Sequence, residues 1–130
     1  IFDIAGSALA AQSVRLNTVA SNLANADTIA GDAESVYKAR LPVFEAVTEP
    51  GVPEASGVRV LGIVESTAAA QKRYEPGHPL ADADGYVYAP NVNVVEEMVN
   101  MISAARSYQS SVEVMNTAKE LALRTLTLGR

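Results

Sequence analysis

The residues best suited to chemistry lie near the middle of the chain, in a short acidic turn. The run Asp82-Ala83-Asp84-Gly85 has the alternating carboxylates with which a calcium-binding loop begins. Such a loop needs a further acidic ligand and a closing glutamate, and Asn93 stands where that glutamate would be. The sequence therefore favours a solvated hairpin turn over a calcium site.

Three other polar residues have simple structural interpretations. His78, the only histidine, lies in the rigid turn Pro76-Gly77-His78-Pro79 without a visible metal-binding or catalytic partner. Glu96 and Glu97 would fall in the first turn of a helix, where carboxylates oppose the helix dipole favourably. The chain has no cysteine, phosphate-binding glycine loop, nucleophile elbow or zinc-ligand spacing. We therefore expect no enzyme activity, no metal and no cofactor.

The last third of the chain has the pattern of one long helix over residues 93–128. No Pro or Gly interrupts it, and Asn93 with Glu96 forms a variant of the capping box at its start. Nine of ten residues at a period of 3.5 are apolar, which predicts a seam against another long helix. This seam comprises Val94, Met98, Met101, Ala105, Tyr108, Val112, Met115, Lys119, Ala122 and Leu126.

A second seam with the same period lies at the other end of the chain. Seven of its eight residues are apolar: Phe2, Ala5, Leu9, Gln12, Leu16, Val19, Leu23 and Ala26. Asp3 fits a cap or first-turn acid, and the polar run from Asn25 to Thr28 predicts the end of this helix. An antiparallel hairpin of the two helices is the simplest arrangement, although pairing between molecules satisfies the same pattern.

Between these helices the composition changes, because all six prolines and six of the eight glycines lie between residues 28 and 92. This excludes long helices there. Short strands are predicted at residues 37–47, with an edge or bulge at Pro42, at 57–65 and at 86–88; residues 49–56 and 74–84 are predicted to be loops. The chain thus divides into an N-terminal helix (1–28), a β-rich middle region (29–92) and a C-terminal helix (93–130). The predicted fold class is mainly α, with a small β-rich insertion and long terminal helices packed as an antiparallel coiled coil.

The composition excludes several classes of protein. The net charge is −5 without a basic cluster, which disfavours nucleic-acid binding. No segment has the apolar continuity of a membrane span or the pattern of a cleaved export signal, so we expect no membrane insertion. Aromatic residues are few, and much of the apolar content is Ala, which favours a long, thin molecule. Subunits with such helices can associate by contacts that do not close, which produces a tube or rod.

Motifs at both ends of the chain resemble those of the axial proteins of the bacterial flagellum, the rod and hook family. Residues 9–28, especially Ser21-Asn22-Leu23-Ala24-Asn25, are similar to the family's N-terminal motif. Residues 97–102, followed by Arg106-Ser107-Tyr108, are similar to its C-terminal motif. Residues 74–87 and Pro90-Asn91-Val92 resemble a subunit of the proximal rod.

The resemblance implies a structural subunit of the basal-body proximal rod, whose terminal helices form the inner layer around the export channel and transmit torque. It also implies export by the flagellar type III apparatus without a cleaved signal. The implied partners are copies of the chain, other rod proteins, the hook–basal-body junction protein that seats the rod in its membrane ring, and the rod-capping scaffold. The alternative is a soluble helical adaptor or export chaperone, which would form a discrete oligomer.

The expected assembly interface combines apolar seam residues with polar residues that set the register. Arg106 lies one position outside the seam and is expected to pair with an acid on a neighbouring helix. The expected interface residues are Leu9, Leu16, Val19, Asn22, Leu23, Asn25, Met98, Met101, Arg106, Tyr108, Val112 and Met115.

Overall fold

The chain folds into two long terminal helices with a small β-rich insertion between them. The computed structural model describes the backbone of residues 2–49 and 51–129, and the side chains of these residues apart from 2, 49 and 52–56. The elements are, in order, α1 (Phe2–Ala24), β1 (Arg40–Glu49), β2 (Val52–Glu65), β3 (Gln71–Tyr74), β4 (Tyr86–Ala89) and α2 (Val94–Leu128). At about 1.5 Å per residue, α2 is about 52 Å long and α1 about 35 Å. The predicted helical ends and β-rich middle are confirmed.

The start of α2 and the end of α1 show the interactions expected from their sequences. Asn93 caps α2, because its side-chain oxygen accepts the Glu96 N–H at 3.1 Å, and Glu96 and Glu97 lie in the first turn. The α1 helix ends at Ala24. The Asn25 N–H still donates to the Ser21 carbonyl, and the Asn25 carbonyl accepts the Thr28 N–H. The predicted cap of α2 and the predicted end of α1 are confirmed.

Strands β1 and β2 form a two-stranded antiparallel sheet, with a register shift between Val43 and Phe44. This irregularity lies one residue beyond Pro42, where a bulge was predicted. The prediction of a loop over residues 49–56 is wrong, because β1 extends to Glu49 and β2 begins at Val52. Gly51 has a φ of 88°, a left-handed conformation that accommodates a tight turn, so the strands extend further than the turn-rich composition indicated.

Strands β3 and β4 form a second antiparallel pair around the Asp82–Gly85 turn. The sequence pattern missed β3 because its four residues, Gln-Lys-Arg-Tyr, are all exposed and show no apolar alternation. The start of β1 also differs from the prediction, since it begins at Arg40 and not at residue 37. The Ala39 N–H donates to the side-chain oxygen of Asn91 at 2.7 Å, so a side chain holds the backbone just before the strand.

The buried core consists of small side chains. Its apolar members are Ala5, Ala11, Val19, Val36, Ala39, Val87, Ala89, Val92 and Ala104. No Leu, Ile, Met or Phe among the described side chains is fully buried. Small residues let the backbones approach closely but remove little apolar surface from water. The core therefore leaves most of the large apolar residues at least partly exposed.

The two helices contact each other, and their contacts run in opposite order along the chain. Asn22 bonds Glu97, Arg15 lies 3.4 Å from the Ser103 hydroxyl, and Ile4 shares a groove with Val114. The face of α2 that contacts α1 is displaced by one residue from the predicted seam: Glu97 and Ala104 are buried, whereas Val94 and Met98 are exposed. The reason is local, because the methyl group of Ala104 permits close packing and Glu97 is held by an α1 amide.

Candidate assembly interface

A buried asparagine joins three parts of the fold. The Asn22 side chain is 1% exposed and makes four hydrogen bonds. Its amide nitrogen donates to the Arg40 carbonyl at 2.9 Å and to the Glu97 carboxylate at 3.0 Å. Its oxygen accepts from the Tyr37 hydroxyl at 2.7 Å and from the Arg40 N–H at 2.9 Å. Both donors and both acceptor positions of the amide are thus satisfied, and α1, β1 and α2 are held together.

A second asparagine, Asn91, bonds the segments that precede and follow the β1–β2 hairpin. Asn91 accepts the Ala39 N–H and donates to the Ala68 carbonyl at 2.8 Å. Nearby, Ala30 and Tyr88 form an isolated β-bridge with two backbone hydrogen bonds of 2.9 Å. These contacts fix the middle region against the ends of both helices. Sequence reasoning did not assign roles to Asn91 and Tyr37, although Asn91 lies in one of the motifs that carried the resemblance.

The structure places the expected interface residues at different depths within the single chain. Val19 and Asn22 are buried. Half-buried positions are Leu9, Leu16, Leu23, Asn25, Met101, Val112 and Met115. Met98, Arg106 and Tyr108 are exposed. Asn25 bonds the Ser21 carbonyl at 2.9 Å and thereby stabilises the end of α1. Contacts with neighbouring copies at all twelve positions remain a prediction.

One face of α2 carries an exposed apolar stripe, which we call the α2 ridge: Val95, Val99 and Ile102. These residues follow the spacing i, i+4, i+7 and therefore share one side of the helix. They are 71%, 59% and 58% exposed. Isolated exposed apolar residues are normal on a protein surface, but three in adjacent turns form a continuous patch.

The end of α2 and the β1–β2 sheet expose further apolar surface. From Met115 onward, α2 extends past the start of α1, whose Ile4 shares a groove with Val114; we call residues 115–128 the α2 overhang. Its exposed leucines are Leu121, Leu123, Leu126 and Leu128. In the sheet, the exposed residues include Leu41, Val43, Phe44, Val47, Val58, Leu61, Ile63 and Val64. A two-stranded sheet with this much exposed apolar surface is marginally stable by itself.

An open apolar groove lies where α1 begins against the middle of α2. It is lined by Ile4, Ala5, Ala8, Ser111 and Val114, and its volume is about 390 Å³. We call this the N-terminal groove. Small residues on its floor, Ala5 and Ala8, leave room for another helix to approach closely.

The polar turn that first suggested metal chemistry stabilises the β3–β4 hairpin. The Asp82 carboxylate accepts the Tyr86 N–H at 2.9 Å and the Asp84 N–H at 3.0 Å. The hydrogen bond from Tyr86 lowers the pKa of Asp82 below its ordinary value of 3.8. His78 serves a similar turn, since its Nδ1 accepts the Leu80 N–H at 3.0 Å. Within the described residues, no cluster of acidic, histidine or cysteine side chains could hold a metal ion.

Salt bridges contribute little to holding this chain together. Among the side chains that the structure describes, the single salt bridge joins Arg59 to Glu45 across β1 and β2. Arg106 makes no salt bridge with any of these described side chains. Neither α1 nor α2 has an apolar stretch of the length a bilayer requires, as judged over the same residues.

Comparison with known proteins identifies the class to which these helices and surfaces belong. The family described as "Flagella basal body rod protein" matches residues 2–29, and "Flagellar basal body rod FlgEFG protein C-terminal" matches residues 83–128. The two matches cover α1, β4 and α2. The chain is thus of the flagellar rod class, and the resemblance found in its terminal motifs is confirmed.

Full-length relatives define the family more closely. The chain is 58% identical to the flagellar basal-body rod protein FlgC of Salmonella typhimurium, over 100% of this chain and 96% of the relative. It is 57% identical to FlgC of Yersinia enterocolitica with the same coverage. It is 45% identical to FlgC of Buchnera aphidicola subsp. Acyrthosiphon pisum, over 99% of this chain and 96% of the relative.

The chain belongs to the FlgC family of flagellar basal-body rod proteins. It is a structural rod subunit of the flagellum. The basal body is therefore its location, and other basal-body components are its assembly partners. Because these relatives are structural proteins, the comparison also gives indirect support to the expectation that the chain is not an enzyme.

Proposed function

We propose that the chain polymerises through α1 and α2 into the proximal rod, where these helices pack as an antiparallel coiled coil around the export channel. The observation that carries this proposal is the mismatch between what the single chain buries and what it exposes. Its buried apolar residues are Ala and Val, whereas Leu126 is 68% and Val95 71% exposed. Neighbouring helices in a rod would remove this large apolar surface from water.

The packing would also account for the transmission of torque that motility requires. Twisting a rod of interlocked helices moves each side chain away from the neighbours against which it is packed. Close-packed interiors resist such displacement because even small gaps lose contact energy. Adjacent subunits would complete the burial of half-buried seam residues such as Leu16, Leu23, Met101 and Val112. These contacts would transmit torque between subunits.

The middle region, residues 29–92, would contact neighbouring subunits outside the helical layer. The exposed apolar residues of β1 and β2 support this division of roles. Copies of the chain and other rod proteins are the nearest partners under this proposal. Further proposed partners are the hook–basal-body junction protein, the rod-capping scaffold and the type III export apparatus. The export apparatus would export the chain without a cleaved signal.

Hydrogen exchange tests whether neighbours complete the helical surfaces. The exchange of backbone amides would be compared between the purified chain and the same chain in isolated basal bodies. We expect rapid exchange over residues 119–128 in the free chain, because their exposed side chains provide no packing that would oppose opening of the helical hydrogen bonds. We expect strong protection in basal bodies. The amides of residues 87–89 provide an internal control, since Val87 and Ala89 are already buried in the single chain.

Two outcomes would contradict the proposal. Equal and strong protection of residues 119–128 in both samples would mean that the single chain completes its own helices. A discrete, stable oligomer with these residues protected, and no chain in basal bodies, would favour the adaptor or export chaperone instead. Family membership weighs against that alternative, because the relatives carry the description of rod proteins.

A further inference from the structure

The α2 ridge and the N-terminal groove are complementary surfaces of one chain. The ridge presents the β-branched side chains of Val95, Val99 and Ile102, all more than half exposed. The groove offers a floor of small residues between α1 and α2, with Ile4 and Val114 at its edges. Branched apolar side chains fit against small residues at close helix–helix contacts. The two surfaces lie at different heights on α2, so one chain cannot bring its own ridge into its own groove.

Placing the α2 ridge in the N-terminal groove sets the register between two copies. The ridge continues along α2 as residues 95, 99, 102, 106, 109 and 113, all of which are exposed. The α2 side of the groove is formed by Ser111 and Val114. Parallel packing that brings Val99 and Ile102 of one copy level with Ser111 and Val114 of the second copy shifts the two copies by twelve residues. Twelve residues correspond to about 18 Å along a helix.

The same shift brings opposite charges together at the end of the groove. It places Arg106 of the incoming copy level with residue 118 of the receiving copy. Because Ile4 and Val114 line the same groove, Asp3 lies about three residues from that level, or about 5 Å along the axis. Arg106 is exposed and makes no salt bridge among the described residues, and Asp3 is exposed in the first turn of α1. The shift also places Glu113 level with Thr125, next to Arg124.

We propose that the α2 ridge of one copy of this chain docks in the N-terminal groove of a second copy, with Arg106 paired to Asp3. The contact is heterologous, since each copy uses its ridge on one neighbour and its groove on another. Such contacts propagate into an open assembly and do not close as a dimer. This inference rests on the proposed rod function and adds to it the partner surface, the register and the polar pair.

Charge reversal tests the polar pair in flagellated cells that carry only the variant chain. Asp3→Arg and Arg106→Asp each place like charges together, and each should lower the amount of chain in isolated basal bodies about fivefold. The double variant Asp3→Arg/Arg106→Asp restores opposite charges and should recover incorporation to within about twofold of the wild type. Failure of the double variant to exceed both single variants would overturn the pairing.

Disulfide trapping tests the docking itself, and the absence of native cysteine makes the background clean. In the variant Ala8→Cys/Val99→Cys, one thiol lies in the groove and one on the ridge. Oxidation of basal bodies should produce a ladder of covalent dimers, trimers and larger species, because each chain bonds two neighbours. In the matched control Ala10→Cys/Val99→Cys, the α1 thiol lies at an exposed position outside the groove and should yield no ladder.

The two experiments separate the docking from the rod function. A chain that is present in basal bodies but forms no ladder, or forms an equal ladder in the control, would overturn the docking and leave the rod function intact. Absence of the wild-type chain from basal bodies would overturn both. A ladder specific to Ala8→Cys, together with rescue by the double charge reversal, would establish the contact.

Discussion

Replacing Asn22 with Ala should destabilise the chain strongly, because it removes four hydrogen bonds at one buried position. Three of them join neutral groups: the Tyr37 hydroxyl, the Arg40 N–H and the Arg40 carbonyl. Each contributes about 1 kcal/mol, whereas the bond to the charged Glu97 contributes about 1.5–3 kcal/mol. Water entering the vacated space recovers part of this loss. We therefore expect the free energy of unfolding to fall by about 3–5 kcal/mol.

Urea unfolding of the purified chain measures this loss as a lower transition midpoint at an unchanged slope. Asn25→Ala is the matched control, since the Asn25 side chain is half-buried and donates one hydrogen bond, to the Ser21 carbonyl. Its expected cost is about 1 kcal/mol. Hydrogen exchange would also show faster exchange of the Arg40 amide in Asn22→Ala. Equal midpoints for the two variants would refute the assignment of Asn22 as the residue that joins α1, β1 and α2.

Two further predictions concern the β3–β4 hairpin and the assembled rod. Because hydrogen bonds lower the folded pKa of Asp82, its contribution to stability is complete above about pH 4, the ordinary range of the group, and is lost as the pH falls through the folded pKa. Asp82→Asn should remove this dependence from the exchange rates of the β4 amides, and a pH profile identical to that of the wild type would contradict it. Val112→Asp should prevent incorporation into basal bodies and abolish swimming, whereas Ser110→Asp, which adds the same charge at an exposed position outside the α2 ridge, should permit both. Normal motility of Val112→Asp would show that this half-buried position is not part of the contact between subunits.

The sequence was sufficient to predict the helices because each carries an uninterrupted periodic pattern and a recognisable end. Asn93 and Glu96 identified the start of α2, and the polar residues after Ala24 identified the end of α1. The strand β3 was missed because its residues have no apolar alternation and are ordered by their partner strand. The loop assigned to residues 49–56 was wrong for a related reason: Gly51 permits a tight turn, and pairing between the two strands decided how far each extends.

The candidate site was harder to predict, since it depends on contacts between distant segments. Asn22 was assigned to the interface from its motif, but its four hydrogen bonds come from residues 37, 40 and 97, which only the fold brings together. Glu97 was explained by the helix dipole, and its bond to Asn22 has no signal in the sequence. The face of α2 that contacts α1 is displaced by one residue from the predicted seam for the same reason. A period of 3.5 identifies an apolar stripe, but contacts between distant segments decide which edge of that stripe lies against α1.

The contrast between the polar junction and the apolar exterior explains how one chain can be both ordered and ready to assemble. The hydrogen bonds of Asn22 and Asn91 fix the angles between the helices and the β-rich middle region without requiring a large apolar core. Directional polar contacts specify geometry, so the large apolar residues need not be used inside the subunit. They remain on the α2 ridge, the α2 overhang and the β1–β2 sheet, where neighbours can bury them. Under the proposed function, a single copy is shaped before assembly, and its exposed apolar surface would contribute to stability within the rod.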